Sequence, residues 1–98
     1  MASGQALLAL QRYEEAEEAL RTALSALQAS QGSEHPFVAE ARRFLGTALR
    51  HLGENEQAEE QLRLAVPILD TSYGAEHPKV ADALDLLGGV LSSLDRLA

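Results

Sequence analysis

One stretch of this sequence occurs twice. Gly32 to Ala41 reads Gly-Ser-Glu-His-Pro-Phe-Val-Ala-Glu-Ala and Gly74 to Ala83 reads Gly-Ala-Glu-His-Pro-Lys-Val-Ala-Asp-Ala, an offset of 42 residues. Laid over one another without a gap, Tyr13 to Glu54 and Asn55 to Arg96 share 20 identities in 42 positions, among them Glu14/Glu56, Leu20/Leu62, Gly46/Gly88 and Leu52/Leu94. A fixed period of this length constrains the fold more than composition can. Each repeat is one supersecondary unit that cannot bury its apolar face alone, so neighbours must stack and the core must run through the stack.

Within the period the apolar spacing is helical. From Tyr13 to about Ser30, Ala16, Ala19, Leu20, Ala23, Leu24 and Leu27 recur at three- and four-residue steps, which predicts an amphipathic helix with one core-facing stripe. A second helix is expected from about Pro36 to Leu52, with Val38, Ala41, Leu45, Ala48, Leu49 and Leu52 inward. A third runs from Asn55 to about Ser72 on Ala58, Leu62, Ala65, Val66 and Leu69, and a fourth from about Pro78 to Leu94 on Val80, Leu84, Leu87, Leu91 and Leu94. Pro36 and Pro78 open helices, because the ring presets the first helical dihedral and the missing N–H there has no partner to lose. Gly32 reads as a left-handed stop, and Gly53-Glu54 as a turn short enough to force an antiparallel hairpin. Glu14, Glu15, Glu17 and Glu18, like Glu56, Glu59 and Glu60, crowd the starts of their helices. They match the positive end of the helix dipole there and read as solvated helix starts rather than acid–base pairs. Pro67 falls inside the third helix, so a kink near Arg63 to Pro67 or an early weakening is expected.

Gln5 to Leu10 reads as the last turns of a further helix, since Gly4, Leu7 and Leu10 are in register with Gly46, Leu49 and Leu52. The chain is thus expected to begin mid-repeat, as a piece of a longer array would. The expected fold is all-α: antiparallel helix pairs in a solenoid, about four helices plus an N-terminal partial helix. It forms one domain over residues 1–98, divided into a half-repeat at 4–31, a full repeat at 36–73 and a C-terminal half-repeat at 78–94.

Composition narrows the function. An aromatic share of 4% means a core of Leu, Ala and Val. The formal net charge is -7, and no basic cluster is longer than Arg42-Arg43. Phosphate backbones repel such a surface, which argues against nucleic acid. With no cysteine, disulfides, zinc-thiolate sites and thiol catalysis are excluded. The opening Met1 to Leu10 lacks a basic leader, and its apolar run breaks at Gln11 and Arg12, too short for a signal peptide or a membrane span. No membrane association and a cytoplasmic location are expected.

Catalytic constellations are missing. His35 and His77 hold the same place in successive repeats, about one repeat apart, and neither has a second ligand at i+3 or i+4. They read as residues that cap or bridge the loop before proline, not as metal ligands. His51 reads as a surface residue near a helix C-terminus. There is no Gly-x-Ser-x-Gly and no expected strand to carry one. Gly88-Gly89 lies inside a helix rather than in a phosphate-cradling loop, and reads as a close-packing site. The chain is therefore expected to be no enzyme and to need no cofactor and no metal.

In Leu45, Gly46, Leu49, Gly53, Ala58, Leu62 and Ala65, the order of large and small residues resembles the tetratricopeptide repeat family. The Gly-x-x-His-Pro-x-Val-Ala linker resembles that of the 42-residue variety seen in kinesin light chains. Small residues at Gly46, Gly88, Ala58, Ala16, Ala65 and Ala23 would let paired helices approach closely while leucines fill the gaps. The resemblance implies a right-handed superhelix in which the first helix of each pair lines a concave groove and the second forms the convex back. On that reading the partner-binding candidates are Glu40, Arg43, Phe44, Thr47 and Arg50 on one helix, and Asp82, Asp85 and Gly89 on the next.

The light chains carry paired asparagines that bind peptide backbone where this sequence has Arg43-Phe44 and Asp85-Leu86. The Lys/Asn carboxylate clamp of the chaperone-tail binders is absent, so neither ligand class transfers. What remains is a protein or peptide partner in a groove carrying both charge signs. A second reading is self-assembly into a homodimer through the terminal helices, with Leu84, Leu87, Val90, Leu91 and Leu97 expected to be exposed on the last helix.

Overall fold

The structure, a computed structural model, describes residues 12–95. They form four α-helices and no strand: α1 (Tyr13–Gln31), α2 (Pro36–His51), α3 (Asn55–Tyr73) and α4 (Pro78–Asp95). Each begins and ends within a residue or two of where the spacing puts it. The expected N-terminal partial helix and Leu97 lie outside the described residues.

The helix ends follow from local chemistry. His35 caps α2 with its ring Nδ1, which accepts the Phe37 N–H at 3.1 Å, and His77 does the same for the Lys79 N–H at 3.1 Å. Both histidines are caps, as their place before proline suggested. α1 and α3 stop at Gly32 and Gly74, whose φ of 87° and 93° suits glycine alone at little strain. α2 closes on a paired motif: Gly53, at φ 81°, donates to the Arg50 carbonyl at 3.1 Å, and Glu54 donates to the Leu49 carbonyl at 2.9 Å. These two bonds satisfy carbonyls that the helix end leaves free.

The early weakening expected at Pro67 does not occur. α3 continues through it for 19 residues, the same length as α1. Both Pro67 and Arg63 are exposed, so the carbonyl that loses its partner faces water, which can take its place.

Successive helices pack in order, α1 on α2, α2 on α3 and α3 on α4. α2 and α4 also touch directly. Between α1 and α3 the link is a side-chain bond, Arg21 Nη2 to Gln57 Oε1 at 2.9 Å. The stack therefore bends with α2 and α4 on its inner side. Ala16, Leu20, Leu45, Leu49, Ala58 and Leu62 are all 0% exposed and anchor the main core, while Ala39, Ala65, Leu69 and Ala83 anchor a second cluster. Each such leucine contributes about 1.5 to 3 kcal/mol by its burial.

At Gly46 two helices approach closely. A Cβ there would stand 2.9 Å from Leu62 Cγ, so only glycine admits the leucine. Its repeat equivalent Gly88 meets nothing within 4 Å, which corrects the expectation of close packing at both. Val90, expected on an open surface, is 0% exposed and belongs to the main core. It follows Leu87 by three residues, which turns it toward the interior and leaves Leu84 facing out.

Candidate functional site

The inner face of α2 carries Arg43, Phe44, Thr47 and Arg50 at three- and four-residue steps. The Arg43 guanidinium lies 4.4 Å from the centroid of the Phe44 ring, a cation–π contact between neighbouring side chains. Its Nε is buried without a hydrogen-bond partner. Thr47 spends its hydroxyl on its own helix, donating to the Arg43 carbonyl at 3.2 Å. Arg50 is exposed and reaches across to α4, where a Cβ added to Gly89 would stand 2.7 Å from Nη2. Glycine is what lets the guanidinium lie on the α4 backbone. Asp82 and Asp85, both exposed, fall on the same stripe of α4 as Gly89. The structure thus places two arginines and an aromatic ring on one inner helix and two carboxylates on its neighbour.

The charges of this face stand apart from the rest. Among the described residues Arg12, Arg21, Arg63 and Lys79 pair with Glu15, Glu17, Glu59 and Glu40. Arg42 donates to Gln61 Oε1 at 2.8 Å, and burial pushes its guanidinium below the ordinary value against the pull of Glu60. Arg43 and Arg50 have no carboxylate partner among the described residues.

Glu40 is not the outward residue that the repeat position implied. It is 8% exposed, with Oε1 2.6 Å from Lys79 Nζ and Oε2 accepting from the Tyr73 hydroxyl at 3.3 Å. The ammonium also lies 4.7 Å from the Tyr73 ring centroid. The hydrogen bond to Glu40 raises the Lys79 pKa above its ordinary value, with the charges of Glu40 and Tyr73 adding to it and desolvation opposing it. A carboxylate drawn this far from water needs such partners. The cluster fastens the start of α2 to the end of α3 and the start of α4.

Beside it lies a feature that sequence reasoning missed. Phe37, 49% exposed, joins Ala23, Ala26, Leu27 and the edge of Glu40 around an open apolar hollow of about 380 Å³. The repeat held the signal: Phe37 and Ala26 stand where the next repeat has Lys79 and Ile68. His51 is likewise more engaged than its position suggested, stacked on Tyr13 with centroids 4.3 Å apart and planes 7° apart.

Among the described residues no three His, Cys, Asp or Glu side chains group to hold a metal ion, and no helix is long and apolar enough to cross a membrane. The face presents hydrogen-bond donors, acceptors and apolar surface side by side, and among the described residues no group of metal-ligating side chains adds to them.

No curated protein matches the chain. The sequence profile of the tetratricopeptide repeat matches residues 1–71. With the antiparallel helix pairs and the glycine–leucine contact between them, this chain belongs to the tetratricopeptide repeat family.

Proposed function

We propose that the inner face of α2 and α4 holds an extended peptide or a partner helix, and that the chain is a non-enzymatic binding module. Repeats of this family generally mediate protein–protein interaction. The observation that carries the particular face is the pair Arg43 and Arg50. In a chain of net charge -7, these two guanidinium groups have no carboxylate partner among the described residues, while the neighbouring helix α4 carries Asp82 and Asp85 exposed. Peptide carbonyls and acidic side chains complement the arginines, and basic side chains complement the aspartates. Phe44 supplies apolar area between them.

The test is a selection of random displayed peptides on this chain, followed by affinity measurements on Arg43→Glu and Asp85→Lys. Selected peptides should carry both charge signs, and each variant should weaken them by roughly 10-fold or more. Unchanged affinity in both variants removes this face from the proposal.

The same reading divides the chain into a half-repeat at 4–31, a full repeat at 36–73 and a half-repeat at 78–94, of the 42-residue light-chain-like type that the His-Pro linkers support. It goes with a cytoplasmic scaffold role. A second reading, self-assembly, is favoured by one observation: the outer side of α4 carries Leu84 at 48% exposure beside an open Gly88.

A further inference from the structure

The chain itself shows what covers a surface of this kind. On α2, Ala39, Leu45 and Leu49 are 0% exposed because α3 lies across them, with Leu62 seated on Gly46. The repeat equivalents on α4 are Ala81, Leu87, Leu91 and Gly88. There Ala81 and Gly88 are exposed, Leu87 and Leu91 are half-buried, and a Cβ on Gly88 would meet nothing within 4 Å. One position differs in chemistry. Arg42, which bonds Gln61 of α3 at 2.8 Å, is replaced on α4 by Leu84, 48% exposed. α4 has kept the glycine socket and exchanged the polar grip beside it for an apolar one. The surface suits an antiparallel helix that brings a leucine to Gly88 and a second apolar residue to Leu84.

Leu20, Leu62, Leu45 and Leu49 are 0% exposed in their own stack, and the exposed leucine of α3, Leu64, has no glycine beside it. Among the described helices α4 alone carries half-buried leucines next to an exposed glycine. We propose that α4 pairs with α4 of a second copy, antiparallel about a two-fold axis, which rests on the self-assembly reading above and specifies it. The register that sets Leu87 of each copy on Gly88 of the other also sets Leu84 against Leu91. Knob and socket are adjacent on one helix, so the contact is self-complementary and closes at two copies.

No lysine or arginine lies between Val80 and Leu94, so no cross-copy ion pair helps. Each copy instead brings a net charge of -7, which opposes the approach. One helix face belongs with small interfaces, about 1,200 Å² in total or less, so dissociation in the micromolar range is expected.

The experiment takes the full chain through sedimentation equilibrium from low to high micromolar concentration, at low and at raised salt. The expected result is a reversible dimer that strengthens with salt, because screening relieves the repulsion between copies. Gly88→Leu should raise its dissociation constant roughly 10- to 100-fold while the chain stays folded, since the added side chain has open space in a single copy. The absence of cysteine permits a register test: Leu84→Cys and Leu91→Cys chains, mixed and oxidised, should cross-link to each other faster than either links to itself. A monomer at every concentration overturns the self-assembly reading and this geometry with it. A dimer that survives Gly88→Leu, or that links Leu84→Cys to itself, keeps self-assembly and overturns the α4 pairing.

Discussion

α2 and α4 repeat one pattern in two settings. Leu45 and Leu87, Gly46 and Gly88, Leu49 and Leu91 occupy identical places, yet the first of each pair is buried and the second is open or half-buried. The pattern specifies what a helix can accept; its neighbours decide whether acceptance happens. In a stack, a residue's energetic worth therefore belongs to its position in the array as much as to its identity.

That contrast can be broken by measurement in dilute solution, where α4 is unpaired. Leu45→Ala should cost about 3 kcal/mol and Leu87→Ala about 1 kcal/mol, read as midpoints of urea unfolding. Equal losses would mean that burial does not separate the two helices. Gly46→Leu drives a side chain into Leu62 and should destabilise by about 1 to 3 kcal/mol. Gly88→Leu should instead stabilise by up to about 1 kcal/mol, because it removes a helical glycine without a clash. An opposite sign in thermal melts at Gly88 would show that α4 is covered within one chain.

Two smaller changes sharpen the comparison. Lys79→Ala leaves the Glu40 carboxylate poorly solvated and should cost roughly 1 to 2 kcal/mol, reduced by the exposure of the ammonium. Bonding to Glu40 raises the folded-state Lys79 pKa, so its stabilisation is complete below the unfolded lysine value and is lost only as alkaline pH rises through the raised one. Lys79→Ala should flatten that alkaline loss, and an unchanged pH profile would deny the pairing its role. At the caps the two repeats should not differ. His35→Ala and His77→Ala each remove a 3.1 Å bond and should each cost about 1 kcal/mol, with Asn restoring most of it. A loss at one cap only would show that the shared loop is not shared in energy.

Much of this was legible in the sequence because it repeats. Period, helix bounds, glycine stops and histidine caps all recur, and each is enforced by local chemistry within a few residues. Glu40, Tyr73 and Lys79 do not recur as a set: Asp82, Gln31 and Phe37 stand in their places. Nothing local marks three residues that meet across 33 and 39 positions of chain. Val90 was obscured for another reason. α4 is apolar over two adjoining stripes, Val80, Ala83 and Val90 turned inward and Leu84, Gly88 and Leu91 turned outward, and a single periodicity merges them. The inner face was legible by position, while the cation–π contact of Arg43 and the reach of Arg50 over Gly89 depend on side-chain paths that spacing does not encode.

The bond between Arg21 and Gln57 gives the stack its mechanics. The inner helices α2 and α4 meet backbone to side chain, whereas the outer helices α1 and α3 are spaced by two long polar side chains in water. Breaking that bond costs about 1 kcal/mol, because it is exposed and water takes its place. Such a bond is among the weakest links between helices, so the stack should flex most readily where α1 and α3 face one another.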